Sequence, residues 1–142
     1  YRAIKELQSF IDRYPTSNRV VECNKLIDEL RLKLSSKAFE NAKQYYTTSN
    51  YKSAIIALDN VLIDFPSLEN REEAHFLIVK STYLLAINSI SSKVSERLRL
   101  TIEAYSHFKD NYPDSKYLKE LELIYDKTKI MLNELKEEKD EI

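Results

Sequence analysis

Glycine is absent from all 142 residues, and tryptophan is absent too. Turns with positive φ, β-hairpins and phosphate cradles draw heavily on glycine. Its absence therefore argues against a β-rich domain and removes dinucleotide-binding and P-loop fingerprints outright. A single cysteine, Cys23, rules out an intrachain disulfide and says little about compartment. No stretch reaches the roughly 18 consecutive apolar residues of a membrane span. Neither charge sign dominates, with 22 Lys and Arg against 23 Asp and Glu, so the basic excess of a nucleic-acid binder is missing. What remains abundant is helix-forming charge, ten tyrosines and five phenylalanines. A chain of this length buries one good core, and the expected class is all-α, with turns built from Ser, Asn, Asp and Pro.

The three prolines carry the organisation. FIDRYPTS, VLIDFPSL and HFKDNYPDS place Pro15, Pro66 and Pro113 each behind an aromatic residue. Aligned on those prolines, Ala3, Ala54 and Thr101 coincide, as do Leu7, Leu58 and Tyr105, then Phe10, Val61 and Phe108, then Tyr14, Phe65 and Tyr112. The spacing draws an apolar stripe on one helical face. Proline cannot continue a helix and pushes its predecessor out of the α region. Each aromatic–Pro pair therefore reads as a helix stop with the aromatic folded back on the core. Thr16-Ser17, Ser67 and Asp114-Ser115 are expected to cap the helices that follow.

A second type of helix lies between the proline helices. Phe39, Ala42, Lys43 and Tyr46 match Phe76, Val79, Lys80 and Tyr83. We call these A helices and the proline-ended ones B helices. The unit after Pro15 is longer at its start than the unit after Pro66, by about four helical turns. Val20, Cys23, Ile27, Leu30, Leu34, Ala38, Ala42 and Tyr45 stay in phase across it, which predicts one long helix over about 18–48, unbroken at Ser35-Ser36. The following unit carries extra residues near 86–95, and the serine-rich part, Asn88–Ser95, is expected to form a loop, either a candidate partner-binding segment, since loops on a rigid scaffold often carry function, or a flexible connector. The resulting partition is 1–15 as the B helix of a truncated repeat, 16–66 as a repeat with an elongated A helix, 67–113 as a repeat with the insert, and 114–142 as a C-terminal helix with a charged tail. Ala3, Ile4, Leu7, Phe10, Ile11 and Tyr14 lack a partner A helix in this partition, and the exposed face predicts self-association.

Alternating A and B helices build a helical-hairpin solenoid. Ala42, Tyr51, Ala54 and Pro66 stand at the spacings that tetratricopeptide repeats use, with Ser49 in place of their turn glycine; the expected form is a right-handed α-superhelix. The segments RVVECNKLIDELRLKLSSKAFENAKQYYTTSNYKSAIIALDNVLIDFP, REEAHFLIVKSTYLLAINSI and TIEAYSHFKDNYPDS resemble the BamD (ComL, YfiO) family, most closely its Bacteroidetes type. That resemblance covers nearly the whole chain and matches the family's C-terminal half. It implies a lipid-anchored protein at the periplasmic face of the outer membrane and a non-catalytic scaffold in β-barrel protein assembly. It further implies docking to periplasmic domains of the barrel-forming subunit, with nascent outer-membrane proteins as a second partner. Another tetratricopeptide adaptor of the envelope, in pilus assembly or cell-division coordination, is the alternative.

Reactive constellations do not assemble from the sequence, so catalytic, cofactor and metal sites are all expected to be none. His75 and His107 lie on different helices without metal-ligand spacing, and Cys23 sits on an apolar stripe as a small hydrophobe. Glu72-Glu73 and Glu137-Glu138 read as solvated charge, since neighbours along a helix do not face one another. Candidate partner-binding residues are Phe39, Lys43, Tyr46, Lys80 and Tyr83 on the A helices, because A helices line the concave face of such solenoids. Tyr117, Leu121 and Tyr125 on the last helix complete the set. The competing expectation for the aromatics is packing between helices.

Overall fold

A computed structural model describes residues 1–140, with side chains through residue 138. The elements are α1 (Arg2–Arg13), α2 (Val20–Thr47), α3 (Tyr51–Asp64), α4 (Arg71–Ile87), α5 (Ser91–Asn111) and α6 (Leu118–Asp140). All regular structure among the described residues is helical, the class expected from the missing glycine. Two compact units divide the chain, Tyr1–Ala38 and the remainder from Phe39. The long helix α2 runs 28 residues without a break at Ser35-Ser36. There the Ser35 hydroxyl donates to the Leu32 carbonyl at 2.9 Å, so its polar group is satisfied inside the helix.

The aromatic–Pro stops take one geometry three times. Tyr14, Phe65 and Tyr112 have φ of −130°, −127° and −134° with ψ of 60°, 77° and 62°. The pre-proline clash holds each out of the helix, while each N–H still donates to the residue four back, Phe10, Val61 or Phe108. Phe65 and Tyr112 are half-buried as expected, but Tyr14 is 52% exposed. The restart differs from expectation. α2, α4 and α6 begin five residues beyond each proline, after a short turn. Ser17 and Ser115 accept from the N–H groups of Arg19 and Tyr117 at 3.2 and 3.0 Å, so they close that turn rather than cap the helix. The N-cap of α4 is Asn70, not Ser67.

Ser49, at the turn-glycine position, has φ of 61°. It ends α2 in a left-handed cap, with Asn50 N–H donating to Tyr45 at 2.8 Å and Ser49 N–H to Tyr46 at 3.0 Å. These are the two bonds of a Schellman motif. The insert also differs from expectation. Only Asn88–Ile90 separate α4 from α5, and Ser91–Ser95 are helical. The extra residues extend helices, so α5 has 21 residues where α3 has 14. The tip is tied by Ser89, whose hydroxyl donates to the Leu85 carbonyl and accepts from Arg97.

In the first unit α1 buries no residue completely. Ile4, Leu7, Phe10 and Ile11 are half-buried, and Ala3 is exposed. Cys23 lies buried on the facing start of α2, where the stripe placed it. In the second unit α4 is the central element and packs on α3, α5 and α6. It buries residues on nearly every side, including Ala74, Phe76, Leu77, Val79 and Ala86. Burial of each large apolar side chain is worth about 1.5–3 kcal/mol. The core continues through Leu98 and Leu132, flanked by Val94, Ile102, Met131 and Leu135. Of the charged C-terminal tail, Glu141 and Ile142 lie outside the described residues.

Candidate functional site

The A helices of the second unit are joined by two ion pairs in series. Lys43 Nζ lies 2.6 Å from Glu73 Oε1, and Lys80 Nζ lies 2.8 Å from Glu120 Oε1. Each lysine also lies over an aromatic ring of its own helix, four residues earlier. Lys43 is 5.8 Å from the Phe39 centroid, and Lys80 is 5.2 Å from that of Phe76 and 5.8 Å from that of Tyr46. The hydrogen bond that Lys43 donates to Glu73 holds its ammonium above its ordinary pKa, against partial burial. Burial pulls Lys80 down, but Glu120 and Tyr46 outweigh it and its pKa is raised. Glu72 does not face solvent alone either, because it accepts from the Ser115 hydroxyl. The expectation of solvated charge for Glu72-Glu73 is thus overturned. Side chains one residue apart reach different neighbours, and a carboxylate beside a cation or hydroxyl of a neighbouring element is better satisfied there.

This arrangement sorts the candidate residues. Phe39 and Leu121 have 1% and 0% exposure, so both belong to the core and offer no surface to a partner. Tyr117 stacks on Phe76 at 4.1 Å and Tyr125 on Tyr105 at 4.5 Å, which commits one face of each ring. Tyr46 packs against Tyr51 at 6.0 Å. Lys43, Tyr46, Lys80, Tyr83, Tyr117 and Tyr125 are all half-buried and retain some accessible area. Sequence reasoning missed Glu73 and Glu120 as the partners of the lysines. The signal was present, since each stands seven residues beyond its proline, but ion pairing between repeats cannot be read from one helix alone. Among the larger apolar side chains that do reach solvent are Leu100, Leu123 and Ile130, at 48%, 61% and 58% exposure, alongside Ile63 and Ile90 at 74% and 68%.

On the B-helix side, α3, α4 and α5 border a cleft of about 380 Å³. Ile78, Thr82 and Leu85 line it from α4, with Ile55 and Asp59 from α3 and Leu100, Ala104 and His107 from α5. The two histidines, separate in sequence, meet here with ring centroids 5.2 Å apart, and Tyr112 lies 5.7 Å from His75. Burial lowers the His75 pKa to about 4, helped by the nearby His107 and Arg71. Burial raises that of Asp59, opposed by His107. Arg71 itself donates to the carbonyls of Leu62, Phe65 and Pro66 at 3.0, 3.4 and 3.2 Å. It satisfies the end of α3, where a cation also meets the negative pole of the helix dipole. Among the described residues no three His, Cys, Asp or Glu side chains gather as a metal site. None of the described helices is long and apolar enough to cross a membrane.

A protein-family model described as an outer membrane lipoprotein, YfiO, matches residues 1–96 and, in a second overlapping alignment, residues 36–137. No curated protein matches the chain.

Proposed function

The chain belongs to the YfiO family of outer membrane lipoproteins, and from that premise we propose that it is a non-catalytic scaffold of outer-membrane β-barrel protein assembly. Its binding partner in this reading is the periplasmic part of the barrel-forming subunit, met at the periplasmic face of the outer membrane, with nascent barrel proteins as a second ligand. The observation that carries the reading is the family match, which spans both compact units. The fold supports it: stacked hairpins present an extended surface that binds through a few anchors rather than one pocket. On the last hairpin Leu123 and Ile130 stand exposed on α6, one helix face apart from the buried Leu121, Thr128 and Leu132. Tyr83, Tyr117 and Tyr125, all half-buried, are further contacts in this proposal. With a formal net charge of −1, binding should change little with salt.

Calorimetric titration of the chain with the periplasmic domains of the barrel-forming protein from the same organism tests this. Saturable binding is expected, weakened at least about tenfold, or about 1.4 kcal/mol, by Leu123→Asp or Ile130→Asp. Absence of binding at about 100 μM, some −5.5 kcal/mol, with the chain folded by circular dichroism, would reject this partner. It would favour an adaptor role elsewhere in the envelope.

A further inference from the structure

The second unit is closed on its A side and split on its B side. The A helices α4 and α6 pack on each other and are tied by the Lys80–Glu120 pair. The B helices α3 and α5 each pack on α4 but, among the described residues, not on one another. The gap between them is the cleft of about 380 Å³, a size that holds small ligands or a few residues of a chain. Its three helices are interior to the chain, with further helices before α3 and after α5.

Ile78 and Leu85 floor the cleft from α4, spanning about 10 Å of that helix. Ile55 and Leu100 wall it from α3 and α5, and Leu100 is 48% exposed. Each wall also carries a carboxylate, Asp59 on α3 and Glu103 on α5. Both are exposed, and neither has an ion-pair partner among the described residues. Asp59 lies close enough to His107 to feel its charge, and Glu103 stands one helical turn before that histidine. The lining cation, Arg97, belongs to the opposite end, where it donates to the Ser89 hydroxyl at the α4–α5 turn. The cleft is therefore apolar along its floor and acidic at one end. Burial already disfavours the charged form of Asp59, so a cation placed beside it is favoured.

We propose that the α3–α4–α5 cleft binds an extended Leu-x-Arg type of segment from a partner protein, its guanidinium between Asp59 and Glu103 and its aliphatic side chain between Leu85 and Leu100. Charge complementarity sets the cation, because an acidic segment would face two carboxylates. In an extended chain the side chains of residues two apart point to one side, some 7 Å apart, so both can reach the floor together. Arginine fits better than lysine. Its stem packs on apolar surface, and its five N–H donors serve carboxylates from two directions. This site is separate from the α6 surface of the assembly reading and does not depend on it.

The probe is the capped tripeptide acetyl-Leu-Ser-Arg-amide, titrated into the isotopically labelled 142-residue chain and followed by amide NMR shifts. Saturable shifts at Ile55, Leu85, Leu100 and Glu103 are expected, with a Kd on the order of 1 mM for a ligand this small. Asp59→Asn together with Glu103→Gln should weaken binding about fivefold or more. The rest of the spectrum should be unchanged, because both side chains are exposed. Asp59→Lys together with Glu103→Lys should reject this peptide and accept acetyl-Leu-Ser-Glu-amide. The proposal is overturned by absence of shifts at about 10 mM, by shifts centred outside the cleft, or by equal affinity of the unaltered chain for the Arg and Glu peptides. Shifts of the same amides on concentrating the chain alone, unaffected by the peptide, would overturn it in favour of a second copy.

Discussion

Lys43 Nζ sits 2.6 Å from Glu73 Oε1 across thirty residues of sequence, and it does so above the ring of Phe39. The pair is half-shielded, with 36% and 27% of the two side chains exposed. A double-mutant cycle with Lys43→Met and Glu73→Gln should give a coupling of about 0.5 kcal/mol, as partly exposed pairs do. Because the Lys43 pKa is raised in the folded chain, this contribution is complete below the ordinary lysine pKa and fades as pH rises through the folded one. Urea unfolding of the four proteins, at neutral pH and again in strong alkali, measures both effects; a zero coupling would show that the contact is geometric only.

Ser49 occupies left-handed space at φ 61°, where a Cβ is unfavourable and glycine is not. Ser49→Gly should therefore stabilise the chain by about 1 kcal/mol, even though it loosens the unfolded state. The Tyr51 hydroxyl donates to Ser49 Oγ at a marginal 3.3 Å, too weak and exposed to reverse the sign. A thermal midpoint that falls in the glycine variant would refute this account of the turn.

Ser81 is completely buried on α4, and its hydroxyl has no hydrogen-bond partner among the described residues. Buried Thr101 and Thr128 instead donate to the carbonyls of Arg97 and Ile124, at 3.1 and 2.7 Å. Ser81→Ala should raise stability by about 1 kcal/mol, since it removes an unsatisfied polar group and improves helix propensity. Thr128→Val should be neutral or destabilising, because its hydroxyl is satisfied. Chemical denaturation of both variants distinguishes the two cases.

His75 is held neutral, with its pKa lowered to about 4 by burial first and by His107 and Arg71 second. The unfolded chain takes up this proton at the ordinary histidine pKa, so the stabilising contribution is full above about pH 6.5 and is lost as pH falls toward 4. Half-exposure of the ring limits the loss to about 1 kcal/mol. Asp59 works in the opposite sense. Its raised pKa favours the folded state when it is protonated, and that contribution disappears as pH rises through the folded value. Denaturation midpoints between pH 7 and 4 should fall less steeply for His75→Gln than for the unaltered chain; parallel slopes would remove His75 as the cause.

Much of this molecule is written locally. The missing glycine, the three aromatic–Pro stops and the unbroken stripe from Val20 to Tyr45 are properties of single helices. Backbone sterics and side-chain period suffice to read them, because a helix closes its hydrogen bonds within itself. Ser49 was legible only as the residue standing where tetratricopeptide repeats place their turn glycine, and its positive φ is seen in the structure. What the tertiary structure decided was the fate of each side chain on those helices. Phe39 and Lys43 share one helix, yet one is sealed in the core and the other reaches Glu73. Glu72 and Glu73 are neighbours that bond to Ser115 and Lys43 respectively. His75 and His107 come within 5.2 Å although 32 residues separate them. The supposed loop at Asn88–Ser95 became mostly helix, because a packed neighbour makes added turns favourable that propensity alone leaves marginal. Burial, ion pairing and proton affinity depend on what lies opposite a side chain, and the three-dimensional packing of helices distant in sequence fixes that opposite surface.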